Sequence, residues 1–299
     1  MAILATPDCR VLVQGITGRE AAMVTHHCLA YGSPILAGVS PGKGGQALHG
    51  VPIYDTVREA CEAHGINTSV VYVPPAFALD AGLEAIANGI KLLLVMTERV
   101  PVHDVVRLLQ VAAREGCTVV GPNSVGIISP GARIKLGAIG GDNPARCFVP
   151  GPVGVISRSG GMTAEVSWMV KRAGYGVSTS VSIGGDAIIG STPREILARF
   201  EADPETRAVV LWGEPGTAHE EEAAEFLAQG GFTKPLIAYV AGKFMEEMPE
   251  GTVFGHGASL IQAGRGRPSA KLEALRKAGG HTLERFNDLL PVLREVLGD

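Results

Sequence analysis

The sequence predicts an α/β fold built as two successive units, each a mostly parallel sheet with helices on its faces. Its 299 residues correspond to about two domains of ordinary size. Short apolar runs alternate with amphipathic segments of about a dozen residues, the pattern of parallel strands joined by crossover helices. The hydrophobic content is 46%, aromatic residues make up only 5%, and there are 40 glycines. This mixture is typical of α/β proteins with tight strand-to-helix turns.

The composition argues against several classes of protein. The net charge of −4, without a long basic run, gives little electrostatic support to a nucleic-acid partner. Five scattered cysteines without C-x-x-C spacing indicate reduced thiols rather than a disulfide framework or a zinc site. The sequence shows no apolar run of about 18 residues and no N-terminal signal pattern. We therefore expect a cytoplasmic protein with neither a resident metal nor a membrane span.

The first unit is expected to span residues 1–126. Its predicted strands and helices alternate along the chain: strands at 10–15, 34–39, 69–75, 91–96 and 118–121, with helices ending near 31 and at 80–88 and 104–115. Parallel strands of this kind bring their carboxyl ends to one edge of the sheet, where ligands bind. The sequence thus predicts one crevice formed by the turns at Gly15, Ser40, Val73 and Met96.

The turn from Gly15 to Gly18 follows the first strand and precedes a helix. In Rossmann-like domains, glycines at this place let backbone N–H groups approach an anion at the helix N-terminus. The spacing is G-x-x-G-x-x-A, which departs from G-x-G-x-x-G. The turn therefore predicts phosphate binding but does not indicate which ligand carries the phosphate.

The loop Ser40–Gly45 follows the second strand and carries Lys43 among glycines. A NAD-binding domain usually places Asp or Glu there to hold the ribose hydroxyls. A lysine instead favours a ligand with an additional phosphate, and coenzyme A fits this better than NAD, with NADP as the alternative. Because Gly44 follows Lys43, the loop is not a Walker A element.

The segment 127–152 is rich in Gly and Pro and weakly periodic, and we expect it to be a linker. A second unit should occupy 153–299 with a flavodoxin-like rhythm. Its expected elements are strands from 153 and at 177–183, 207–212 and 234–241, and helices at 164–173, 193–201, 220–228, 269–278 and 287–297.

The turn Ser157–Gly161 lies between a strand and a helix in this second unit. Hydroxyls and free N–H groups at a helix N-terminus make an anion site. The alternative is that Ser159 simply caps the helix. The turn is not a nucleophile elbow, because Val155 occupies the first Gly position of G-x-S-x-G.

His256 lies between two glycines late in the chain. The glycines leave the imidazole uncrowded, so the side chain could act as a nucleophile or a proton carrier. Glu214 follows an apolar strand and could meet His256 at the same sheet edge. A carboxylate beside an imidazole fixes its tautomer and raises its basicity.

Taken together, short stretches along nearly the whole chain resemble the α subunit of succinyl-CoA synthetase (succinate–CoA ligase). Their order and spacing carry the resemblance: Gln14–Gly18, Pro41–Gly45, Tyr72–Pro74, Thr97–Glu98, Gly121–Asn123, Ser157–Gly160, Gly184–Asp186, Gly213–Glu214 and Gly255–His256. The resemblance implies a CoA-binding Rossmann-like domain followed by a ligase domain.

The resemblance also implies roles for individual residues. His256 would be transiently phosphorylated and steadied by Glu214. The expected CoA contacts are Thr17, Gly18, Arg19, Glu20, Lys43, Val73, Pro74, Met96, Thr97 and Glu98. The expected contacts of the phosphoryl group or the substrate carboxylate are Ser157, Ser159, Gly160, Gly161 and Asn123.

The same resemblance implies a partner chain, since the sequence has no nucleotide-triphosphate motif of its own. In this family a β subunit of the ATP-grasp fold holds ATP or GTP with Mg²⁺. The expected assembly is an αβ pair or an α2β2 tetramer acting on a small carboxylic acid.

Four departures bear on the acid substrate. Ser157–Met162 and Phe254 look like ATP-citrate lyase and citryl-CoA synthetase, and Ala164 stands where succinate enzymes carry Tyr. The segment Met245–Gly251 is acidic where the family has a basic run. Succinate leads on similarity along the whole chain, with citrate and malate as alternatives. From other classes, an NADP-dependent oxidoreductase and a non-catalytic CoA-binding regulator remain open.

Overall fold

The computed structural model describes residues 2–262 and 265–298 and shows two α/β units in sequence, each built on a seven-stranded sheet. Each unit places helices on both faces of its sheet, as the alternation of strands and helices predicts. The fold prediction, two mostly parallel sheets, is confirmed.

The first sheet has the strand order β3-β4-β2-β1-β5-β6-β7 and is parallel apart from the β3–β4 hairpin. Without β3, this is the order of doubly wound dinucleotide-binding domains. Its strands are β1 Val11–Gln14, β2 Ile35–Val39, β3 Ala47–Leu48, β4 Val51–Tyr54, β5 Thr68–Val71, β6 Leu92–Val95 and β7 Thr118–Val120. Its helices are α1 Arg19–Tyr31, α2 Val57–His64, α3 Ala78–Ala87 and α4 Val102–Glu115.

The second sheet has the order β14-β13-β12-β10-β11-β8-β9. The run from β14 to β11 is parallel and follows the flavodoxin order, with β8 and β9 added antiparallel beyond β11. Its strands are β8 Gly126–Ser129, β9 Ile134–Leu136, β10 Pro150–Ser157, β11 Val177–Ser182, β12 Ala208–Gly213, β13 Leu236–Val240 and β14 His281–Thr282. Its helices are α5 Gly160–Arg172, α6 Pro193–Ala202, α7 His219–Ala228, α8 Pro268–Lys277 and α9 Leu289–Leu297.

The segment 127–152 is not the unstructured linker that its composition suggests. It supplies most of β8, all of β9 and the start of β10, so the chain enters the second sheet directly after the first unit. It also ties the two units together: Ser33, just after α1, donates its hydroxyl to the carbonyl of Lys135 in β9 (2.6 Å) and accepts from the N–H of the same residue (2.9 Å). Short strands with a buried lysine carry too weak an apolar pattern to be recognised from sequence.

Two further differences concern helix boundaries and small elements. Helix α5 begins at Gly160, four residues before the predicted start, because Ser159 caps it by accepting from the N–H of Met162. Helix α2 and the β3–β4 hairpin were not predicted. A capping box between Thr56 and Glu59 starts α2, and this signal is present in the sequence. Short 3₁₀ turns occupy Pro75–Phe77, Pro144–Arg146, Lys243–Glu247 and Phe286–Asp288.

The core of each unit lies between its sheet and the covering helices, and the central strands are buried on both faces. In the first sheet, Leu93 and Leu94 in β6 are both fully buried, although their side chains point to opposite faces. Strands β10 and β12 show the same pattern at Val155–Ile156 and at Val209–Val210. Residues after the carboxyl ends of these strands are therefore held at a rigid edge, and both candidate sites lie along such edges.

Candidate active site

A cavity of about 560 Å³ opens at the carboxyl edge of the first sheet. It is bounded by the turns after β1, β2 and β5 and by the start of α3. Its lining includes the predicted CoA contacts Thr17, Gly18, Lys43, Val73 and Pro74. The crevice expected from the sequence is thus present at the turns after β1, β2 and β5, whereas the turn at Met96 does not line it.

Gly15 is the position in this crevice where a side chain could not be accommodated. Its φ is +78°, and a Cβ there would lie 2.9 Å from the carbonyl oxygen of Tyr72. The hydroxyl of Thr17, two residues on, lies 2.9 Å from that of Ser40, so the turns after β1 and β2 are joined. The backbone cradle fits a phosphate-bearing ligand at the start of α1.

The glycine loop carrying Lys43 is held at the mouth of the cavity. The N–H of Lys43 donates to the carbonyl of Ser40 (3.0 Å), and that of Gly44 donates to the Asp55 carboxylate (2.9 Å). The bond from Gly44 is the main reason why the pKa of Asp55 lies below its usual value. The loop backbone is fixed in this way, while the Lys43 side chain remains exposed on the cavity wall.

At the carboxyl edge of the second sheet, His256 and Glu214 meet. The imidazole Nδ1 lies 2.7 Å from Oε2 of Glu214. The His256 side chain is 31% exposed and that of Glu214 is 10% exposed. With Nδ1 bonded to the carboxylate, the nitrogen left to act as a nucleophile is Nε2.

The charges around His256 act in opposite directions on its pKa. The hydrogen bond to Glu214 is the largest influence and raises the pKa, and the charges of Glu214 and Asp186 act the same way. Burial and the Arg158 guanidinium lower it, and the net direction is upward. The imidazole is therefore more basic than an ordinary histidine.

Gly185, in the turn after β11, forms the seat of the imidazole. A Cβ at this position would lie 2.5 Å from Cγ and Cδ2 of His256. Any side chain at residue 185 would displace the ring. Gly185, within the Gly184–Asp186 stretch, is thus explained by the close approach of the His256 ring.

Helix α5 begins at the same edge, after the neighbouring strand β10. The hydroxyl of Ser157 donates to the carbonyl of Ser159 (2.8 Å), and Ser159 Oγ accepts from Met162. Both hydroxyls are thus used within the turn, which agrees with the capping alternative for Ser159. The first-turn N–H groups and the helix dipole remain the anion-attracting features.

Arg158 lies under this edge and was not among the predicted site residues. Its side chain is fully buried. The guanidinium donates to the hydroxyl of Thr217 (3.3 Å) and to the carbonyls of Gly185 and Asp186 (3.4 Å each). Within the described residues, Nε has no hydrogen-bond partner. The Ser-Arg-Ser order inside the predicted anion turn was the available signal for this cation.

Two family models match the chain: residues 6–99 match the CoA binding domain, and residues 156–280 match the CoA-ligase domain. The α subunit of an ADP-forming succinate–CoA ligase from Methanothermobacter thermautotrophicus is 43% identical over 99% of this chain and 97% of its own length. The chain belongs to the succinate–CoA ligase α-subunit family.

Other members of the succinate–CoA ligase α-subunit family differ in the acid they are named for. A malate–CoA ligase α subunit from Methylorubrum extorquens is 43% identical, with 93% of each chain covered. An ADP-forming sulfoacetate–CoA ligase subunit from Bilophila wadsworthia is 39% identical over the full length of both. These relatives are ligase subunits, in agreement with the enzyme class inferred from sequence.

A solved structure extends this likeness to a longer enzyme. ATP citrate lyase from Methanosaeta concilii, a mutant in complex with (3S)-citryl-CoA, superposes with a TM-score of 0.90 at 26% identity. The match covers 98% of this ligase subunit but only 50% of the lyase, so the chain spans half the length of that protein.

The remaining predicted residues of this ligase subunit lie near the two sites without lining the cavity. Arg19 and Glu20 are exposed in the first turn of α1. Met96 is buried, Thr97 donates its hydroxyl to the carbonyl of Val73 (2.7 Å), and Glu98 is exposed. Their contacts with CoA remain predictions. Cavity residues that the sequence did not single out include Phe77, Asp80 and Glu84.

Asn123 connects the carboxyl edges of the two sheets of this ligase subunit. Its side-chain amide donates to Asp186 (3.0 Å), which follows β11. The residue comes directly after the last strand of the first sheet, so it lies where the two units meet. This position is compatible with the predicted contact to an acid substrate.

The acidic segment before His256 is anchored to helix α8. Both carboxylate oxygens of Glu246 accept from Ser269, from the N–H (2.7 Å) and from the hydroxyl (2.8 Å). A carboxylate at a helix N-terminus is favourable because it meets the positive end of the dipole. Part of this unusual segment is thus structural.

Among the described residues, no group of three or more His, Cys, Asp or Glu side chains is arranged to hold a metal ion. Over the same residues, no helix has the length and apolar character needed to cross a bilayer.

Proposed function

We propose that this chain is the α subunit of a nucleotide-dependent acid–CoA ligase that works through a phosphohistidine at His256. The observation that carries the proposal is the 2.7 Å contact between His256 Nδ1 and Glu214, which leaves Nε2 as the nucleophilic nitrogen. A neutral imidazole is nucleophilic, and a phosphorylated one is a good donor. His256 would receive a phosphoryl group on Nε2 and pass it to the carboxylate of the acid, giving an acyl phosphate.

Glu214 serves both stages of this transfer. Its carboxylate accepts a hydrogen bond from Nδ1–H, so the ring keeps the tautomer with a lone pair on Nε2. When the phosphoryl group is on Nε2, the same carboxylate stabilises the positive charge that the ring gains. Because Glu214 is nearly buried, its charge acts through a medium that screens it weakly.

The N-terminus of α5 and the buried Arg158 supply the positive field for the phosphoryl group. Helix N-terminal N–H groups stabilise phosphate oxygens without moving. Arg158 supports the turn at Gly185 and Asp186 from beneath. Ser157, Ser159, Gly160, Gly161 and Asn123 are proposed to surround the phosphoryl group and the acid.

The crevice of the first unit is proposed to hold coenzyme A, which supplies the thiol that takes the acyl group and releases phosphate. Thr17, Gly18 and the Gly15 backbone would hold the pyrophosphate, and Lys43 an additional phosphate. The proposal is supported by the match of residues 6–99 to the CoA binding domain and by the Lys43 loop at the cavity mouth.

The phosphoryl donor is proposed to be ATP or GTP with Mg²⁺, bound by a β subunit of the ATP-grasp fold. The relative from M. thermautotrophicus is itself named as a subunit alpha, which supports a second chain. The assembly would be αβ or α2β2.

Succinate is the proposed acid, because family members named for succinate match over nearly the whole chain. A larger acid such as citrate is the second candidate. It is favoured by Gly161, since a Cβ built there meets no atom within 4 Å and the space above the turn is open. Malate and sulfoacetate are further candidates, because other relatives are named as ligases of these acids.

The test is to reconstitute the chain with its β subunit and measure nucleotide-dependent loss of the CoA thiol. The panel contains succinate, malate, sulfoacetate and citrate, each with ATP and with GTP. Succinate should give the highest kcat/KM. Highest activity with citrate would shift the assignment to citryl-CoA synthesis, and no thiol loss with any acid would contradict the proposed function.

A further inference from the structure

Beneath the loop that carries Glu214, a lysine and a glutamate form a fully buried ion pair. Lys271 in α8 contacts the carboxylate of Glu220 in α7, and both side chains are 0% exposed. Lys271 also lies 3.1 Å from Glu221 and donates to the carbonyl of Thr217 (3.2 Å). The ammonium group therefore has all three of its protons directed at this one loop and the first turn of α7.

The other carboxylate oxygen of Glu220 is hydrogen-bonded to the backbone of Glu214. Oε1 of Glu220 accepts from the N–H of Glu214 (3.2 Å). The contact is tight, because a Cβ on Gly213 would lie 2.7 Å from the same oxygen. A continuous chain of contacts thus runs from Lys271 through Glu220 to Glu214 and on to His256.

The loop that is held in this way adopts an unfavourable conformation. Thr217 has φ +52°, a region that β-branched residues rarely occupy. Two buried cations hold it, Lys271 at its carbonyl and Arg158 at its hydroxyl. Such conformations persist where the surrounding contacts over-determine them, and they concentrate at functional sites.

A buried ion pair usually contributes little net free energy to folding. Desolvating two charges offsets most of their attraction, and a well-packed apolar pair of similar volume is often as stable. Stability alone therefore does not account for the Lys271–Glu220 pair. The hydrogen bond between Glu220 and the Glu214 N–H indicates a second role, which is to hold the Glu214 loop in place.

We propose that Lys271 and Glu220 are positioning residues that fix the Glu214 loop so that its carboxylate stays bonded to Nδ1 of His256. The inference rests on the proposed role of His256 and extends it to two residues that touch neither substrate nor histidine. Without the pair, the Glu214 peptide loses its acceptor and the 213–217 loop loses its anchor. The carboxylate then no longer keeps a fixed contact with the imidazole.

The test follows the imidazole of His256 in the full-length chain alone, by NMR titration of histidine Cε1–H signals assigned with His256→Asn. The charged groups facing this ring are Glu214, Asp186 and Arg158. Those facing Glu220 are Lys271 and Arg158. The variants are Glu220→Gln, Lys271→Met, and Lys271→Met combined with Glu220→Leu, which removes both buried charges together. The Glu214→Gln variant gives the pKa of His256 in the absence of the carboxylate contact.

Loss of positioning should lower the pKa of His256 toward that measured in Glu214→Gln, because the hydrogen bond that raises it is weakened. Phosphorylation of His256 by phosphoramidate should slow by about tenfold. Lys277→Met is the matched control, since Lys277 is on the same helix but exposed and paired with Glu273. It should change neither value.

An unchanged His256 pKa in a folded double variant would overturn the proposal, and so would a double variant that does not fold, since the pair would then serve the fold itself. A lower melting temperature with an unchanged pKa would likewise show a merely structural role. The titration needs no nucleotide or partner. A shifted pKa in a chain that its partner never phosphorylates would therefore refute the proposed function and leave the positioning role standing.

Discussion

His256 and Glu214 lie 42 positions apart in the sequence, yet their side chains meet at a distance of 2.7 Å. They come together because β12 ends at Gly213, directly before Glu214, and the loop after β13 returns across the neighbouring turns. The seat at Gly185 and the buried pair under Glu214 then fix both partners.

The first prediction concerns the pH dependence of phosphorylation. Replacing Glu214 by Gln removes the influence that raises the His256 pKa, and burial together with Arg158 then lowers it. Because only neutral imidazole accepts the phosphoryl group, the acidic limb of the pH–rate profile should move to lower pH. The maximal rate should fall by about 10- to 100-fold, since the ring is no longer oriented. A profile with an unmoved limb would contradict the role of Glu214.

The same pair makes a predictable contribution to stability. The pKa of His256 is raised in the folded chain, so the stabilisation is fully present below the unfolded value near 6.5. It is lost as the pH rises through the raised pKa. The difference in urea midpoint between the parent and Glu214→Gln should therefore be larger at pH 6 than at pH 9. An equal difference at both values would count against the ionic contact.

His219 is expected to show the opposite dependence. Burial, followed by Arg158, lowers its pKa to about 4, so the folded chain keeps it neutral. The unfolded chain takes up a proton near pH 6.5, and stability falls as the pH drops from there to about 4, by on the order of 3 kcal/mol. The contribution of His256 is the same in the parent and in His219→Gln, so it cancels when the two are compared.

Urea unfolding from pH 7 to pH 4 tests this expectation. His219→Gln should lose less stability over this range than the parent. His281→Gln, on an exposed histidine, should follow the parent curve. Parallel curves for the parent and His219→Gln would show that His219 does not govern the acid limb.

Gly185 provides a steric test of the histidine seat. The methyl group of Gly185→Ala would lie 2.5 Å from the imidazole, so the ring must move. We expect phosphorylation to fall by more than about tenfold, while CoA binding is unchanged. Gly131→Ala is the control, because its Cβ meets no atom within 4 Å. Full phosphorylation of Gly185→Ala would place the working imidazole elsewhere.

Lys43 should matter for one phosphate of CoA. Lys43→Met is expected to weaken CoA binding about tenfold, the value of a charge-assisted hydrogen bond. Calorimetry with CoA and with dephospho-CoA should show that the variant loses the preference for the 3′-phosphate. Lys91→Met, at the amino end of β6, is the control. If Lys43→Met still prefers CoA over dephospho-CoA, the phosphate lies on another residue.

The sequence was sufficient to predict the two sheets, most strand and helix positions, and the pairing of His256 with Glu214. Apolar periodicity marks the long elements, and strands ending at one edge bring their following residues together. The same reasoning placed Thr17 and Lys43 on one crevice.

What the sequence could not predict depends on contacts between distant segments. Strands β8 and β9 are short, β8 pairs with the distant strand β11, and β9 pairs with β8, so their apolar pattern carries no local signal. Lys271 and Glu220 look like ordinary charges on two amphipathic helices, and only the packing of α7 on α8 buries them. The seat at Gly185 likewise becomes visible only when the His256 loop is folded over it.

The most direct test of a phosphohistidine at His256 is phosphorylation of the chain by its β subunit with radiolabelled ATP and Mg²⁺. We expect one acid-labile, alkali-stable phosphate per chain, located on His256 by peptide mapping. The label should be absent from His256→Asn and discharged by the acid substrate together with CoA. A chain that stays unlabelled while the reconstituted enzyme forms acyl-CoA, or a label that persists in His256→Asn, would contradict a phosphohistidine at His256.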